Sequence, residues 1–173
     1  TSGDLNALIP VLRLLDRGLC VSVAAITGQA GGGGLEIALT CNFRVMDSQA
    51  TLAFPEVALG ILPGVAAHRA IGLLPEGRAL DLMLTGRVLS AAEARDWGLA
   101  TRIAPHGSTL ETALSLCDEF LRYPAGAVAA VRDLVVGARD ASQRDQRRAH
   151  SEAWTRLAAD QQAGGRIDAA RVR

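Results

Sequence analysis

The chain of 173 residues contains no lysine, so all 18 of its Lys and Arg positions are arginines. A P-loop uses a lysine beside its glycines to reach the phosphates of a nucleotide. The glycine run at residues 31–34 also lacks the Gly-Lys-Ser/Thr ending of that motif. The sequence therefore excludes a P-loop nucleotide site.

Cysteine, charge excess and long apolar runs are also scarce. Cys20, Cys41 and Cys117 are odd in number and have no metal-ligand spacing, which predicts core residues in a reducing compartment and no metal site. The formal net charge is zero, so nothing favours nucleic acid or a membrane surface as a partner. No apolar run approaches the roughly 18 residues of a membrane-spanning helix. We expect a cytoplasmic protein that binds neither nucleic acid nor membrane.

The most prominent feature that is present is the run of four glycines at residues 31–34. Upstream, residues 21–26 are small and β-branched and predict a buried strand. Downstream, residues 37–41 predict a helix with almost no exposed face. Glycine lets the backbone approach a ligand closely, and the amides that open a helix lack intrahelical partners. The turn therefore suits a phosphate or a developing oxyanion.

Glu36 favours one of the two ligands, phosphate or oxyanion, over the other. A carboxylate in the first helical turn repels a pyrophosphate, and the glycine spacing departs from the dinucleotide-binding pattern. An oxyanion is the favoured ligand. A glycine turn that only packs a helix tightly against a strand remains the alternative.

The rest of the pattern predicts one α/β domain in which strands and helices alternate. Residues 4–17 predict a helix that Pro10 kinks or delays and that Gly18 ends. Further helices are predicted at residues 65–73, 75–85, from the capping box at 90–93 to Gly98, and at 108–122, 125–138 and 140–160. Strands are predicted at residues 43–46, 51–54 and 99–103, and an apolar loop at 57–64.

Two glutamates, Glu36 and Glu56, stand in apolar surroundings. Each taken singly is typical of a helix-dipole partner or an exposed residue. Two carboxylates beside a glycine turn instead indicate a pair that divides general acid and general base work. His68 follows the Pro63-Gly64 loop and either faces the same cavity or bonds to the backbone.

Several motifs, in this order and spacing, resemble the crotonase superfamily, the enoyl-CoA hydratases and isomerases. They are Ala24-Ala25-Ile26-Thr27-Gly28, Gly32-Gly33-Gly34-Leu35-Glu36-Ile37-Ala38-Leu39, Phe54-Pro55-Glu56, Leu59-Gly60-Ile61-Leu62-Pro63-Gly64, Leu84-Thr85-Gly86 and Ala94-Arg95-Asp96-Trp97-Gly98-Leu99. The resemblance is strong over residues 23–105 and weak in the C-terminal helices.

The resemblance implies an α/β fold of the ClpP/crotonase type, a spiral of ββα units followed by a helical trimerisation region. On that basis residues 1–106 are the crotonase core and residues 107–173 the oligomerisation region of a homotrimer or dimer of trimers. The implied substrate is an acyl-CoA or acyl-carrier thioester, with coenzyme A as part of the substrate and no other cofactor.

The resemblance also implies a site. Gly33 would supply an oxyanion-hole amide, and Glu36 and Glu56 would be the catalytic glutamates. Because both glutamates are kept, water addition or elimination is favoured. The implied substrate-binding residues are Gly32, Gly34, Leu59, Gly60, Pro63 and Gly64, with His68 as a further candidate.

Three departures from the family pattern stand out. Residues 65–69 replace the usual Gly-Gly-Thr-Gln-Arg, which predicts a reshaped loop beside Glu56. Without lysine, arginine alone is left to hold the nucleotide phosphates. The N-terminal third of a crotonase, roughly 80–100 residues with the other oxyanion amide, is also missing, so we expect a preceding segment to complete the fold.

Other functions stay open at this point. An isomerase, decarboxylase or thioester hydrolase on the same fold would use His68. A non-catalytic crotonase-like partner would only support a complex. An N-terminal-nucleophile hydrolase would use Thr1.

Overall fold

The computed structural model describes residues 5–18, 20–64 and 67–139, together with residues 152 and 156. The chain divides into two compact units, residues 1–119 and residues 120–173.

Two predictions from the sequence concern residues outside the described ranges. Thr1 lies outside the described residues, as does the predicted helix at residues 140–160 except for Glu152 and Arg156, which are helical. The predicted boundary at residues 106 and 107 marks off an oligomerisation region, and that role stays a prediction.

Seven α-helices and six strands are assigned in the described residues. The helices are α1 (Leu5–Arg17), α2 (Gly33–Thr40), α3 (Ala67–Leu73), α4 (Glu76–Thr85), α5 (Ala91–Asp96), α6 (Thr109–Leu121) and α7 (Ala125–Gly137), with a 3-10 helix at Glu56–Leu59. The strands are β1 (Val23–Ile26), β2 (Gln29–Gly31), β3 (Phe43–Asp47), β4 (Thr51–Ala53), β5 (Leu89–Ser90) and β6 (Arg102–Ala104).

The strands form two three-stranded sheets in the first unit. One sheet has the order β1-β3-β6 and is parallel throughout. The other has the order β2-β4-β5, in which β2 and β4 are parallel and β5 is antiparallel to β4. Each successive pair, β1 with β2 and then β3 with β4, contributes one strand to each sheet and is followed by helix. This is the repeating ββα arrangement that the resemblance to crotonases implies.

The core of the first unit is apolar and centres on α2. Leu35 and Leu39 of this helix are buried with Met46, Leu52 and Phe54 of the strands and the segment that follows β4. Burying each such side chain stabilises the fold by about 1.5–3 kcal/mol relative to exposure. The predicted helix with almost no exposed face is confirmed in most of its length, with Ile37 at 36% exposure as the exception.

Helix ends follow the local signals of the sequence. Ser90 caps α5, since its hydroxyl accepts from the Glu93 N–H at 3.3 Å while the Glu93 carboxylate accepts from the Ser90 N–H at 3.0 Å. Gly86 ends α4 in the left-handed region at φ 62°. Pro10 lies inside α1, which begins before it, so the predicted delayed start is wrong.

Short strands are where the sequence-based expectations were wrong. β2 and β5 have three and two residues, too few for an alternating pattern to appear. The predicted strand at residues 99–103 begins only at Arg102, because the N–H groups of Leu99 and Ala100 both bond to the carbonyl of Ala94 and finish α5.

The structure also differs from the predictions for one loop and one cysteine. The predicted loop at residues 57–64 begins inside the 3-10 helix Glu56–Leu59. Cys41 is buried as expected, whereas Cys20 is exposed and is no core residue.

Candidate active site

The pairing of β2 with β4 brings the glycine turn beside the segment that carries Glu56. In this parallel pair Gly31 lies opposite Ala53, and the Gly32 N–H donates to the Ala53 carbonyl at 3.3 Å. Both strands therefore end at the same edge of the sheet. The segment that leads into α2 and the segment that leads into the 3-10 helix therefore start next to each other at that edge.

Gly32 shapes the start of α2. It is the N-cap of the helix with φ 51° and ψ −127°, a conformation that side chains other than hydrogen disfavour. Its carbonyl accepts the first helical bond, from the Glu36 N–H at 3.0 Å. The N–H groups between them, beginning with Gly33, precede that bond and lie at the positive end of the helix dipole. The Gly33 N–H can therefore donate to an anionic oxygen.

Glu56 lies against this turn. It is the first residue of the 3-10 helix and is 8% exposed. Its Oε1 atom lies 3.0 Å from the position that a Cβ on Gly32 would occupy. Its Oε2 atom is buried and has no hydrogen-bond partner among the described residues. A buried carboxyl oxygen without a hydrogen-bond partner is costly for a fold.

Glu36 is held on the other side by a second glycine. It sits in the first turn of α2 at 3% exposure. A Cβ on Gly64 would lie 2.1 Å from its Oε1 atom and 2.7 Å from Oε2. The carboxylate therefore occupies the space that any larger residue at position 64 would need. This contact joins the Pro63-Gly64 loop to α2, which are far apart in the sequence.

The structure thus brings together five residues expected at the site: Gly32, Gly33, Glu36, Glu56 and Gly64. The carboxyl group of Glu56 lies against Gly32. Glu36 bonds to the Gly32 carbonyl through its backbone N–H. Carboxyl groups can exchange protons and a helix-opening amide can stabilise an oxyanion, so the residues around this turn carry the groups that both tasks need.

Of the other expected substrate-binding residues, three lie in or after the 3-10 helix and one lies in α2. Leu59 is 72% exposed, and Gly60 ends this helix with φ 71°. Pro63 is half-buried, and Gly34 continues the first turn of α2. Their contact with substrate stays a prediction.

His68 lines a cavity of about 200 Å³ that residues of α1, α2 and α3 form. Thr40 and Arg69 line the same space. Sequence reasoning missed Arg69 and its ion pair with Asp16, whose atoms Nη2 and Oδ1 are 2.5 Å apart. No local signal predicted this pair, because 53 residues separate its members.

Metal binding and membrane insertion can be assessed for the described part of the chain. Within it, no three side chains of His, Cys, Asp or Glu come together as a metal site. None of its helices is both long enough and apolar enough to span a bilayer.

Comparisons with known proteins identify the family that this chain resembles. The sequence model described as enoyl-CoA hydratase/isomerase matches residues 6–166. A putative enoyl-CoA hydratase of Thermus thermophilus is 35% identical over 145 residues, which are 83% of this chain and 57% of that protein.

Solved structures show the same fold. Enoyl-CoA hydratase subunit I of Geobacillus kaustophilus superposes with a TM-score of 0.89 at 30% identity, over 98% of this chain and 66% of that one. A putative enoyl-CoA hydratase of Thermobifida fusca, solved in complex with acetoacetyl-CoA, gives 0.81 at 31% identity, over 86% of this chain and 59% of that one. The predicted crotonase fold is confirmed. The chain spans about two thirds or less of the length of these relatives.

Proposed function

Because this chain belongs to the enoyl-CoA hydratase/isomerase family, we propose that the full-length protein adds water to, or removes it from, the α,β-double bond of an acyl thioester. The acyl group would be carried by coenzyme A or by a carrier protein. The observation that supports this proposal most is the pair of buried glutamates, Glu36 and Glu56, held around the Gly32 turn. Many chemistries on one fold need a single base, whereas hydration uses two proton-transfer groups.

In the proposed reaction, the Gly33 N–H binds the thioester carbonyl oxygen. This polarises the conjugated system, so the β-carbon becomes electrophilic and negative charge gathers on the oxygen. Such a donor contributes roughly 3–4 kcal/mol of transition-state stabilisation in other oxyanion holes. A second donor would come from residues that precede Thr1.

The two glutamates then divide the proton transfers. Glu36 takes a proton from water as the water oxygen bonds to the β-carbon. The enolate that results collapses, and the α-carbon receives a proton from the carboxyl group of Glu56. One C–O bond and one C–H bond form at the expense of the double bond, and elimination runs through the same steps in reverse.

Two features support a completing segment outside Thr1–Arg173. The relatives are longer than this chain. Within the described residues, β1 and β2 each lie at the edge of their sheet, and an open edge strand is a template for further pairing. We expect a segment of roughly 80–100 residues to pair there and to bring the second oxyanion donor.

Assembly into a trimer or a dimer of trimers is part of the same proposal. Val131 and Val135 of α7 are 60% and 64% exposed, and such apolar exposure is typical of interfaces. Light scattering of the full-length protein at micromolar concentration should give a trimer mass or a multiple of it, and a monomer would contradict this part.

The reaction itself is tested with crotonyl-CoA and the full-length protein in D₂O. We expect loss of the enoyl absorbance, a 3-hydroxyacyl product and one deuterium at the α-carbon. The double variant Glu36→Gln/Glu56→Gln is the matched control and should be inactive. Exchange or double-bond migration without gain of water would instead identify an isomerase. Thioester cleavage would identify a hydrolase, and absence of turnover with any enoyl thioester would overturn the proposal.

A further inference from the structure

The cavity beside His68 is built largely by one face of α1. Ile9, Leu12, Arg13 and Asp16 line it, and their spacing of three, four and seven residues is that of a single helical face. Two of these side chains are apolar and two are charged. The space can therefore take an apolar chain that ends in a polar group.

Two short stretches of chain connect the lining of the cavity to residues of the candidate active site. Thr40 lines it and lies one turn after Glu36 on α2, so the two side chains share a helix face at about 6 Å. His68 also lines it, four residues after Gly64, which contacts the Glu36 carboxylate. The cavity is thus a neighbour of the carboxylate that would activate water.

The charges in this cavity do not cancel. Asp16 and Arg69 form an ion pair at 2.5 Å, and Arg69, which is 8% exposed, also donates to the Thr40 carbonyl at 3.4 Å. This leaves Arg13, whose side chain has no hydrogen bond or ion pair to another described residue. Arg13 therefore gives the lining a positive charge in excess.

We propose that this cavity receives the distal end of the acyl chain, and that Arg13 binds a carboxylate at that end. The substrate class would be the thioester of a short dicarboxylic acid. This inference rests on the proposed thioester function. The guanidinium group can hold a carboxylate through two parallel hydrogen bonds, while Ile9 and Leu12 cover the methylene groups between the carboxylate and the thioester.

A phosphate of coenzyme A is a second source of negative charge. The pantetheine arm keeps these phosphates far from the thioester, whereas the cavity lies about one helical turn from Glu36. The distal end of a short acyl chain is the better match to this position. The experiment below includes free coenzyme A to distinguish the two sources.

Binding of saturated thioesters to the native full-length protein tests the inference without any turnover. Glutaryl-CoA carries the carboxylate, and 5-methylhexanoyl-CoA is its neutral isostere with an isopropyl group in that place. We expect glutaryl-CoA to bind about tenfold more tightly by titration calorimetry, since a charge-assisted pair at a partly exposed site has that order of effect. Arg13→Met should abolish the preference. Arg17→Met, which changes an arginine of the same helix outside the cavity lining, should keep it.

Equal binding of the two thioesters to the wild-type protein would overturn the inference, and this comparison needs no variant. If Arg13→Met weakens both thioesters and free coenzyme A alike, Arg13 binds the nucleotide, and the inference is also wrong. Hydration of crotonyl-CoA is measured in parallel. Tighter binding of glutaryl-CoA without hydration of crotonyl-CoA would contradict the proposed reaction and support the cavity assignment. Hydration without tighter binding of glutaryl-CoA would support the reaction and contradict the cavity assignment.

Discussion

Asp47 and Glu56 are both buried carboxylates, yet their surroundings differ. Asp47 ends β3, and its two oxygens accept from the Gln49 N–H at 2.9 Å, the Gly107 N–H at 2.8 Å and the Thr109 hydroxyl at 3.3 Å, and contact His106 Nδ1 at 3.0 Å. Glu56 has one oxygen against Gly32 and another that is buried without a hydrogen-bond partner among the described residues.

The hydrogen bonds of Asp47 therefore join two segments of the fold, whereas Glu56 Oε2 makes none among the described residues. The donors to Asp47 come from its own turn, from the loop after β6 and from the first residue of α6, so the side chain ties two distant segments together. Its hydrogen bonds, first those from Gln49 and His106, hold the pKa of Asp47 well below its usual value. Among the described residues Glu56 has no such network, and its buried Oε2 atom has no donor, which is destabilising unless substrate or water supplies one.

The largest expected effect comes from removing the proton-transfer groups. Glu36→Gln and Glu56→Gln should each lower the turnover of crotonyl-CoA at least about a hundredfold, the usual scale for general acid–base groups. Because Oε2 of Glu56 has no hydrogen-bond partner among the described residues, Glu56→Gln removes no bond of that atom, and the melting temperature of that variant should stay unchanged or rise. Steady-state kinetics and thermal unfolding on the same samples check both parts. Near-normal turnover in either variant would remove that glutamate from its role.

The second effect concerns the space that Gly64 leaves for Glu36. In Gly64→Ala the new Cβ would start 2.1 Å from Oε1 of the carboxylate, so Glu36 must move. We expect turnover to fall about tenfold to a hundredfold, since displacements of this size misalign reacting groups. Gly28→Ala is the matched control, as a Cβ there meets nothing within 4 Å. A normal rate in Gly64→Ala would show that the position of Glu36 does not matter.

The third effect is on stability and should spare the chemistry. Asp47→Asn replaces an acceptor oxygen by an amide that cannot accept from the same donors, so a buried donor loses its partner. We expect the melting temperature to fall by several degrees while turnover per folded molecule stays near that of the wild type. Circular dichroism and kinetics well below the transition measure the two quantities. Loss of turnover without loss of stability would contradict the division between Asp47 and Glu56.

The smallest expected effect is on the loss of stability at acid pH. Hydrogen bonds from the Ser90 backbone and hydroxyl and from Arg87 lower the pKa of Glu93 from 4.5 to about 2. A carboxyl group with a lowered folded-state pKa stabilises the protein above its unfolded pKa, and this contribution disappears as pH falls toward the folded value. Melting temperature should therefore decline below about pH 4.5, through the ordinary values of Glu93 and Asp47.

Two variants separate these contributions. Asp47→Asn should flatten the decline in acid more than Glu93→Gln does, because Glu93 lies at a surface where solvent screens its interactions. Unfolding curves between about pH 2 and pH 7 give the comparison. An equal slope in all three proteins would show that neither carboxylate carries the acid sensitivity.

The local features of this chain could be predicted from its sequence. The capping box of Ser90 and Glu93, the helix end at Gly86 and the place of Glu36 in the first turn of α2 all depend on residues within a few positions of each other. Backbone propensity and capping act over the same distance. The sequence by itself therefore determined where most helices begin and end.

The tertiary structure decided which residues meet. β2, with the sequence Gln-Ala-Gly, is a strand because it pairs with β4, and this pairing alone sets Gly32 against Glu56. The contact of Gly64 with Glu36 and the placement of His68 in the cavity beside α1 likewise join segments separated by many residues. Such contacts follow from strand register and helix packing, which the whole chain fixes at once and which no local pattern of residues records.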